Sequence, residues 1–115
     1  MGYKDLSLSA QSSGRNKVFE GKQTKTTGKN GTIFRFPAGA GKVHSETIFV
    51  HANPGSCYVK ITNSPRNEIR SYKAIWTNSA LGTVTNKSDK MVIAPCTGIR
   101  LIRISGTVSI EITAQ

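Results

Sequence analysis

The sequence predicts an all-β protein: a small antiparallel sandwich or jelly-roll-like barrel of about seven or eight strands, with an extended N-terminal arm. Two observations carry this prediction. Short apolar runs, several of them alternating with polar residues, recur at intervals of roughly 8–12 residues, separated by turn signals rich in Gly, Pro and Asn. No stretch of helical length repeats apolar residues at the period of an amphipathic helix. A chain of 115 residues has room for one domain with one core.

Residues 1–29 are predicted to form the arm, and residues 30–115 the β-sandwich domain. The arm contains just seven apolar residues, too few to offset the entropy of ordering it alone. It also carries six Lys and Arg against Asp5 and Glu20, a net charge of +4. We therefore expect its order to come from lying on a partner, with Val18 and Phe19 as the apolar anchor.

The domain is expected to begin at Asn30-Gly31, a strong turn signal. Further turns are expected at Asn53-Pro54-Gly55, at 63–67, at 86–89 and at Pro95. The runs between these signals are rich in β-branched and aromatic residues, and they predict strands near 34–36, 47–51, 57–62, 74–77, 81–85, 91–94, 99–104 and 108–112.

The C-terminal pair of predicted strands is the best patterned. Val108, Ile110 and Ile112 alternate with polar residues and should share one face. Leu101 and Ile102 are adjacent, which predicts either a β-bulge or a strand covered on both faces. The Ser-Gly pair at 105–106 predicts a tight hairpin between these two strands.

The chain is strongly basic, with a formal net charge of +10 and a pI near 10.1. Such an excess of positive charge predicts an anionic partner, which could be nucleic acid, an acidic protein surface, or an anionic lipid or glycan.

Cysteine content and the N-terminus bear on the compartment. Two cysteines, Cys57 and Cys96, are too few for a disulfide framework. Residues 1–5 do not open an apolar signal-peptide core, and no run reaches the roughly 18 apolar residues of a membrane span. We expect a protein made and kept in a reducing cytoplasm, with two free thiols and no membrane partner.

The residues that could support catalysis are scattered. Cys57 alternates with core residues, whereas Cys96 lies in a predicted turn and is expected to be the more exposed thiol, and neither has an evident base beside it. His44 and His51 should point to opposite faces, so a metal site is not expected. Residues 36–43 resemble a phosphate-binding loop but lack its required Gly and Ser/Thr. We expect no enzymatic activity, no metal and no cofactor.

Basic residues interleaved with aromatic ones are typical of proteins that bind single-stranded nucleic acid. One region of the chain fits this pattern, and its candidate residues are Tyr58, Lys60, Arg70, Tyr72, Lys73 and Trp76. The alternative is that Tyr58 and Trp76 cover an edge of the core while the basic residues are solvated.

Residues 30–115 are rich in Ser, Thr, Gly and Asn, lack cysteine chemistry, and end on the Val- and Ile-rich runs 100–104 and 108–112. In this composition and strand pattern the sequence resembles the small cement, or decoration, proteins that clamp the outer shells of tailed bacteriophages. The resemblance implies a structural virion protein made in the host cytoplasm. It also implies capsid or other virion proteins as partners, and a homo-oligomeric or lattice-bound state.

On this hypothesis the arm binds a neighbouring subunit, and its candidate contact residues are Arg15, Lys17, Val18, Phe19, Lys22, Lys25 and Lys29. Two alternatives stay open. One is a single-stranded nucleic-acid-binding β-barrel, and the other is a tail or spike module that binds a glycan or a receptor.

Overall fold

The computed structural model describes residues 3–8, 17–36, 45–70 and 73–115. It confirms the prediction of an all-β, barrel-like fold. Eight strands form one sheet: β1 (Tyr3–Asp5), β2 (Ser7–Leu8), β3 (Phe19–Lys25), β4 (Asn30–Arg35), β5 (Glu46–Thr62), β6 (Trp76–Asn78), β7 (Val84–Ile93) and β8 (Gly98–Ala114). A single turn of 3-10 helix, Glu68–Arg70, lies between β5 and β6. No helix in the described ranges is long and apolar enough to span a membrane.

Two long strands form the centre of the sheet. β5 and β8 are each 17 residues long and pair antiparallel from Glu46↔Ala114 to Thr62↔Gly98. Each end of this ribbon has its own flanking strands. At residues 46–52 and 108–114 the order is β7–β5–β8–β3–β2, which we call layer A. At residues 57–62 and 98–103 the order is β6–β5–β8–β4–β1, which we call layer B.

The two layers are joined where the long strands bend. Gly55 of β5 pairs with Gly106 of β8, and the backbone NH of Gly55 donates a 3.0 Å hydrogen bond to Oδ1 of Asn86 in β7. Gly106 and Asn86 have φ of 68° and 51°, in the left-handed region. A Cβ on Gly106 would overlap the carbonyl oxygen of Pro54, so this position requires glycine.

The bend corrects three of the predicted turns. Asn53-Pro54-Gly55, the segment 86–89 and Ser105-Gly106 do not end strands, because β5, β7 and β8 run through them. The register of β5 against β7 and β8 shifts at this level instead. The physical reason is that a β-bulge needs the same residue types as a turn, namely those that tolerate positive φ.

One hydrophobic core lies between the layers. The predicted alternation is confirmed: Ile48, Val50 and Ala52 of β5 and Val108, Ile110 and Ile112 of β8 are buried on the inner face of layer A, and Val59 and Leu101 face the same core from layer B. Leu101 and Ile102 are both buried, and Ile102 lies outside this core cluster. The strand is therefore covered on both faces, which was one of the two predicted alternatives.

The N-terminal arm is extended, and its described residues lie on the sheet of this same chain. β1 runs parallel to β4, and β2 runs antiparallel to β3, so residues 3–8 form the outermost strand of both layers. Between them Leu6 is buried in the core, and its NH donates a 2.8 Å hydrogen bond to the carbonyl oxygen of Arg35. The order of these residues therefore comes from the chain itself, whereas we had expected a partner to supply it.

Candidate functional site

The outward face of layer B brings three of the predicted nucleic-acid residues together. Tyr58 and Lys60 alternate along β5 and are half-buried, and Trp76 of β6 is paired with Thr62 on the same face. Lys60 lies directly opposite Arg100 of β8. The Nε of Arg100 donates a 3.0 Å hydrogen bond to the carbonyl oxygen of Gly31 in β4, the strand on the other side of β8.

Trp76 has a structural role on this face. Its ring lies over Gly98, where a Cβ would be 3.4 Å from the Trp76 ring and 3.2 Å from Ile69. Ile69 is buried and Trp76 is half-buried. For Trp76 this fits the alternative prediction, that the aromatic residue covers an edge of the core. Tyr58 differs, because it lines a surface depression.

This depression, of about 360 Å³, lies where the β3–β4 turn meets the bend of β8. Its lining residues are Gly28, Lys29, Tyr58, Arg103 and Ile104. Arg103 links the two elements by two hydrogen bonds. Its backbone NH donates to the carbonyl oxygen of Lys29 at 2.7 Å, and its Nη1 donates to the carbonyl oxygen of Gly28 at 3.3 Å. We call this depression the Tyr58 site.

A charged cluster holds the N-terminal strand on layer B. The carboxylate of Asp5 accepts hydrogen bonds from Arg35 Nε and Arg66 Nη2, each 2.6 Å long. The Arg35 side chain is only 6% exposed, and its guanidinium lies 4.0 Å from the ring centroid of Tyr3. Asp5 thus supplies the carboxylate for a buried cation, which sequence reasoning missed because the partners are 30 and 61 residues apart.

The predicted contact residues of the arm are placed differently from one another. Phe19 is buried in the core of this chain, where it makes an edge contact with Phe36 at 6.4 Å between ring centroids. Lys22 is exposed and forms an ion pair with Glu111 at 3.6 Å. The remaining described members are half-buried or exposed, namely Lys17, Val18, Lys25 and Lys29.

Phe19 therefore serves the fold, and a different residue presents an apolar side chain at this edge. Leu8 of β2 is 57% exposed. A shallow depression of about 470 Å³ also lies along the N-terminal edge, and its charged lining residues are Lys4, Glu20, Lys22 and Glu111. Two predicted residues, Arg15 and Tyr72, and the side chain of Arg70 lie outside what the structure describes, while Lys73 is exposed.

Layer A contains a buried pair that the sequence did not reveal. Glu46 is 1% exposed, and its Oε1 accepts a 2.5 Å hydrogen bond from the backbone NH of Cys96. The Cys96 thiol lies 3.6 Å from Glu46 Oε2 and 3.5 Å from the carbonyl oxygen of Gly98. Cys96 is 5% exposed and Cys57 0%, so Cys96 is the more exposed thiol as predicted, although both are buried. The Glu46 carboxylate therefore binds the β7–β8 connection, which contains Cys96, at a buried position.

Burial sets the proton affinities of this pair. Loss of solvation raises the pKa of Glu46 to about 7, against the lowering effect of its hydrogen bonds to Cys96. Burial, together with the nearby carboxylate, raises the pKa of the Cys96 thiol well above its usual range. Burial also raises the pKa of Cys57 to about 11. Both thiols are therefore protonated and poor nucleophiles at neutral pH.

His51 is on the outward face of layer A, where its Nδ1 is 2.8 Å from the Ser88 hydroxyl and its ring stacks on Phe49 at 4.5 Å. His44 lies outside the described residues. Within the described ranges, no three His, Cys, Asp or Glu side chains come together as metal ligands would.

No protein-family model matches this sequence, and no curated protein is similar to it. Among solved structures, an oxalate oxidase matches at 13% identity and a TM-score of 0.43, over 84% of this chain and 41% of that one. The Schizosaccharomyces pombe Cnp3 cupin domain matches at 12% identity and a TM-score of 0.44, over 95% and 59%. A Bacillus endospore appendage protein matches at 12% identity and a TM-score of 0.43, over 94% and 95%. At this level of similarity the matches define neither a family nor a function.

Proposed function

We propose that this chain is a non-enzymatic structural protein of a virus particle, which docks on a larger protein assembly through its N-terminal edge. One observation carries the proposal: among the residues that the structure describes, 3–8 form the outermost strand of both layers at once. An outer strand presents unpaired backbone groups to which another chain can add. In this chain the same edge also carries an exposed leucine, Leu8.

The chemistry of this edge favours an acidic protein surface with an apolar pocket. Lys4 and Lys17 are exposed here together with Glu20, and Lys22 forms an exposed ion pair with Glu111. Exposed ion pairs each contribute about 0–1 kcal/mol. Burial of Leu8, and repetition over a lattice, must then supply most of the avidity.

The other groups of the molecule support a binding role without catalysis. The thiols are buried and protonated at neutral pH, and Glu46 holds a chain connection in place. His51 is bonded to a serine hydroxyl beside an aromatic ring. Cys96, Glu46 and His51 each have a structural partner, and Cys57 is buried in the core.

The test is co-sedimentation of the full-length protein with purified empty shells of the virus that encodes it. Leu8→Asp should abolish pelleting, because it places a charge in the apolar contact. Val92→Asp is the matched control, because Val92 is 62% exposed on the opposite edge strand, β7. Pelleting of Leu8→Asp at the wild-type level, or equal losses for both variants, would contradict the proposal.

A further inference from the structure

The Tyr58 site has the composition of a site for one unit of a single-stranded nucleic acid. The half-buried ring of Tyr58 and the side chain of Ile104, which is 53% exposed, provide apolar surface. Lys29, which is exposed, and Arg103 add two cations. Its volume of about 360 Å³ suits a single base with its phosphate rather than a folded partner.

The position of the arginine is fixed before any ligand arrives. Arg103 Nε donates to the carbonyl oxygen of Gly106 at 2.6 Å, and Nη1 donates to that of Gly28 at 3.3 Å. These bonds fix the planar guanidinium of a residue that lines the same depression as Tyr58. A guanidinium has five N–H donors, so these two bonds leave donors for a phosphate oxygen.

The cations continue along the sheet from this site. Lys60 follows Tyr58 by two residues on the same face, and Arg100 lies opposite Lys60. In the strands of layer B the sole acidic residue is Asp5, whose carboxylate is already bonded to two arginines. An aromatic platform beside a track of cations is the arrangement by which proteins bind single strands without regard to sequence.

We propose that the Tyr58 site binds single-stranded nucleic acid, with one base stacked on Tyr58 and backbone phosphates bound by Lys29, Arg103 and Lys60. This goes beyond the docking role proposed for the N-terminal edge and does not depend on it. A protein partner of acidic character would use the cations equally well. It would gain less from the aromatic ring, so the ring separates the two possibilities.

The experiment uses the full-length protein and a fluorescein-labelled oligothymidylate of about fifteen nucleotides, a length within the usual site sizes. Fluorescence anisotropy measures affinity between about 50 and 200 mM salt, with poly-L-glutamate as the competing polyanion. We expect the oligonucleotide to bind and poly-L-glutamate to compete poorly. Equal binding of the two polymers would overturn the proposal in favour of an acidic protein.

Two comparisons of variants locate the site, and the first concerns the aromatic ring. Tyr58→Leu keeps apolar volume but removes the stacking surface, and it should weaken binding roughly 5- to 150-fold, whereas Tyr58→Phe should bind as wild type. Phe49→Leu is the matched control, because Phe49 is also a half-buried aromatic residue that points outward from β5, but in layer A. Unchanged binding by Tyr58→Leu, or an equal loss with Phe49→Leu, would overturn the assignment.

The second comparison concerns charge. Lys29→Ala should reduce the salt dependence, the slope of log affinity against log salt, by about 0.7. Lys22→Ala, which removes a lysine in an ion pair on layer A, should leave the slope unchanged. Equal slopes for both variants would contradict the phosphate contact at Lys29. Thermal unfolding of each variant shows whether a loss of binding reflects a loss of fold.

Discussion

The outward faces of the two layers differ in charge although the same two strands form the centre of both. On layer A, Lys22 is paired across the strands with Glu111, so positive and negative charges alternate. On layer B, Lys60 is paired with Arg100. Opposite charges across a strand pair stabilise a sheet, whereas layer B places two cations opposite each other, and Arg100 bonds through Nε to the carbonyl oxygen of Gly31. The proposed nucleic-acid site uses this difference, because it lies on the face where two cations are opposed.

The two layers also differ in how each holds a buried charged group. In layer B the buried Arg35 is neutralised by Asp5. In layer A the buried carboxylate of Glu46 is bonded to the Cys96 NH and thiol rather than to a cation. We therefore expect the stability of layer B to depend on an ion pair, and that of layer A to depend on pH.

The bend at Gly106 creates the two layers, and breaking it should have the largest effect. Gly106→Ala would place a methyl group against the carbonyl oxygen of Pro54 at a φ of 68°. We expect a loss of roughly 4 kcal/mol of unfolding free energy, from backbone strain and steric overlap together. Urea unfolding measures it.

Gly82→Ala is the control for backbone strain alone. Gly82 has a φ of 71°, but a Cβ there would meet open space, with no atom within 4 Å. It should cost about 1 kcal/mol. Equal losses of unfolding free energy for the two variants would show that steric overlap with Pro54 does not contribute to the destabilisation.

Removing the carboxylate of layer B should have the next largest effect. Asp5→Asn leaves the buried Arg35 without its counter-charge, and we expect a loss of about 3 kcal/mol in unfolding free energy. Glu111→Gln, which breaks the exposed pair with Lys22 in layer A, should cost less than about 0.5 kcal/mol. Similar losses for the two variants would remove the distinction between the buried and the exposed pair.

The pH dependence that we assign to layer A should change the unfolding free energy by somewhat less than Asp5→Asn does. The folded-state pKa of Glu46, about 7, lies above the ordinary value of 4.5. The folded state therefore binds this proton more tightly, so its stabilising effect is complete below pH 4.5 and is lost as pH rises through 7. The unfolding free energy should fall by about 2.5 kcal/mol from pH 5 to pH 8.

Glu46→Gln should remove most of this pH dependence, because the amide keeps a hydrogen-bond acceptor for the Cys96 NH without titrating. Urea unfolding at several pH values compares the two proteins. A wild-type curve that is flat over this range, or a Glu46→Gln curve that falls as steeply, would show that Glu46 is not the group responsible.

Much of the fold could be predicted because alternation is a local signal. Val108, Ile110 and Ile112 lie inward as their spacing predicts. The bend could not be predicted, because Gly55 and Gly106 have the residue type of a turn, and only their pairing across 51 positions makes them a bulge. Strand β3 was missed because its sequence is mostly polar. Hydrogen bonds between strands join backbone groups, so this segment pairs with β8 although only Phe19 enters the core.

The candidate sites were predicted in part for the same reason. Tyr58 and Lys60 share a face because they are two residues apart in one strand, which the sequence shows directly. The approach of Lys29 and Arg103 to Tyr58 depends on how the β3–β4 turn meets β8. The contact between Glu46 and Cys96 joins residues 50 apart and has no local signal.

The contrast between the two outward faces is tested most directly by NMR spectroscopy on the 15N-labelled full-length protein, titrated with the oligothymidylate. We expect chemical-shift changes centred on Lys29, Tyr58, Arg103 and Ile104 and extending to Lys60 and Arg100. Residues on the outward face of layer A, such as Phe49 and Glu111, should not respond. Changes centred on layer A, or of equal size on both faces, would contradict this expectation.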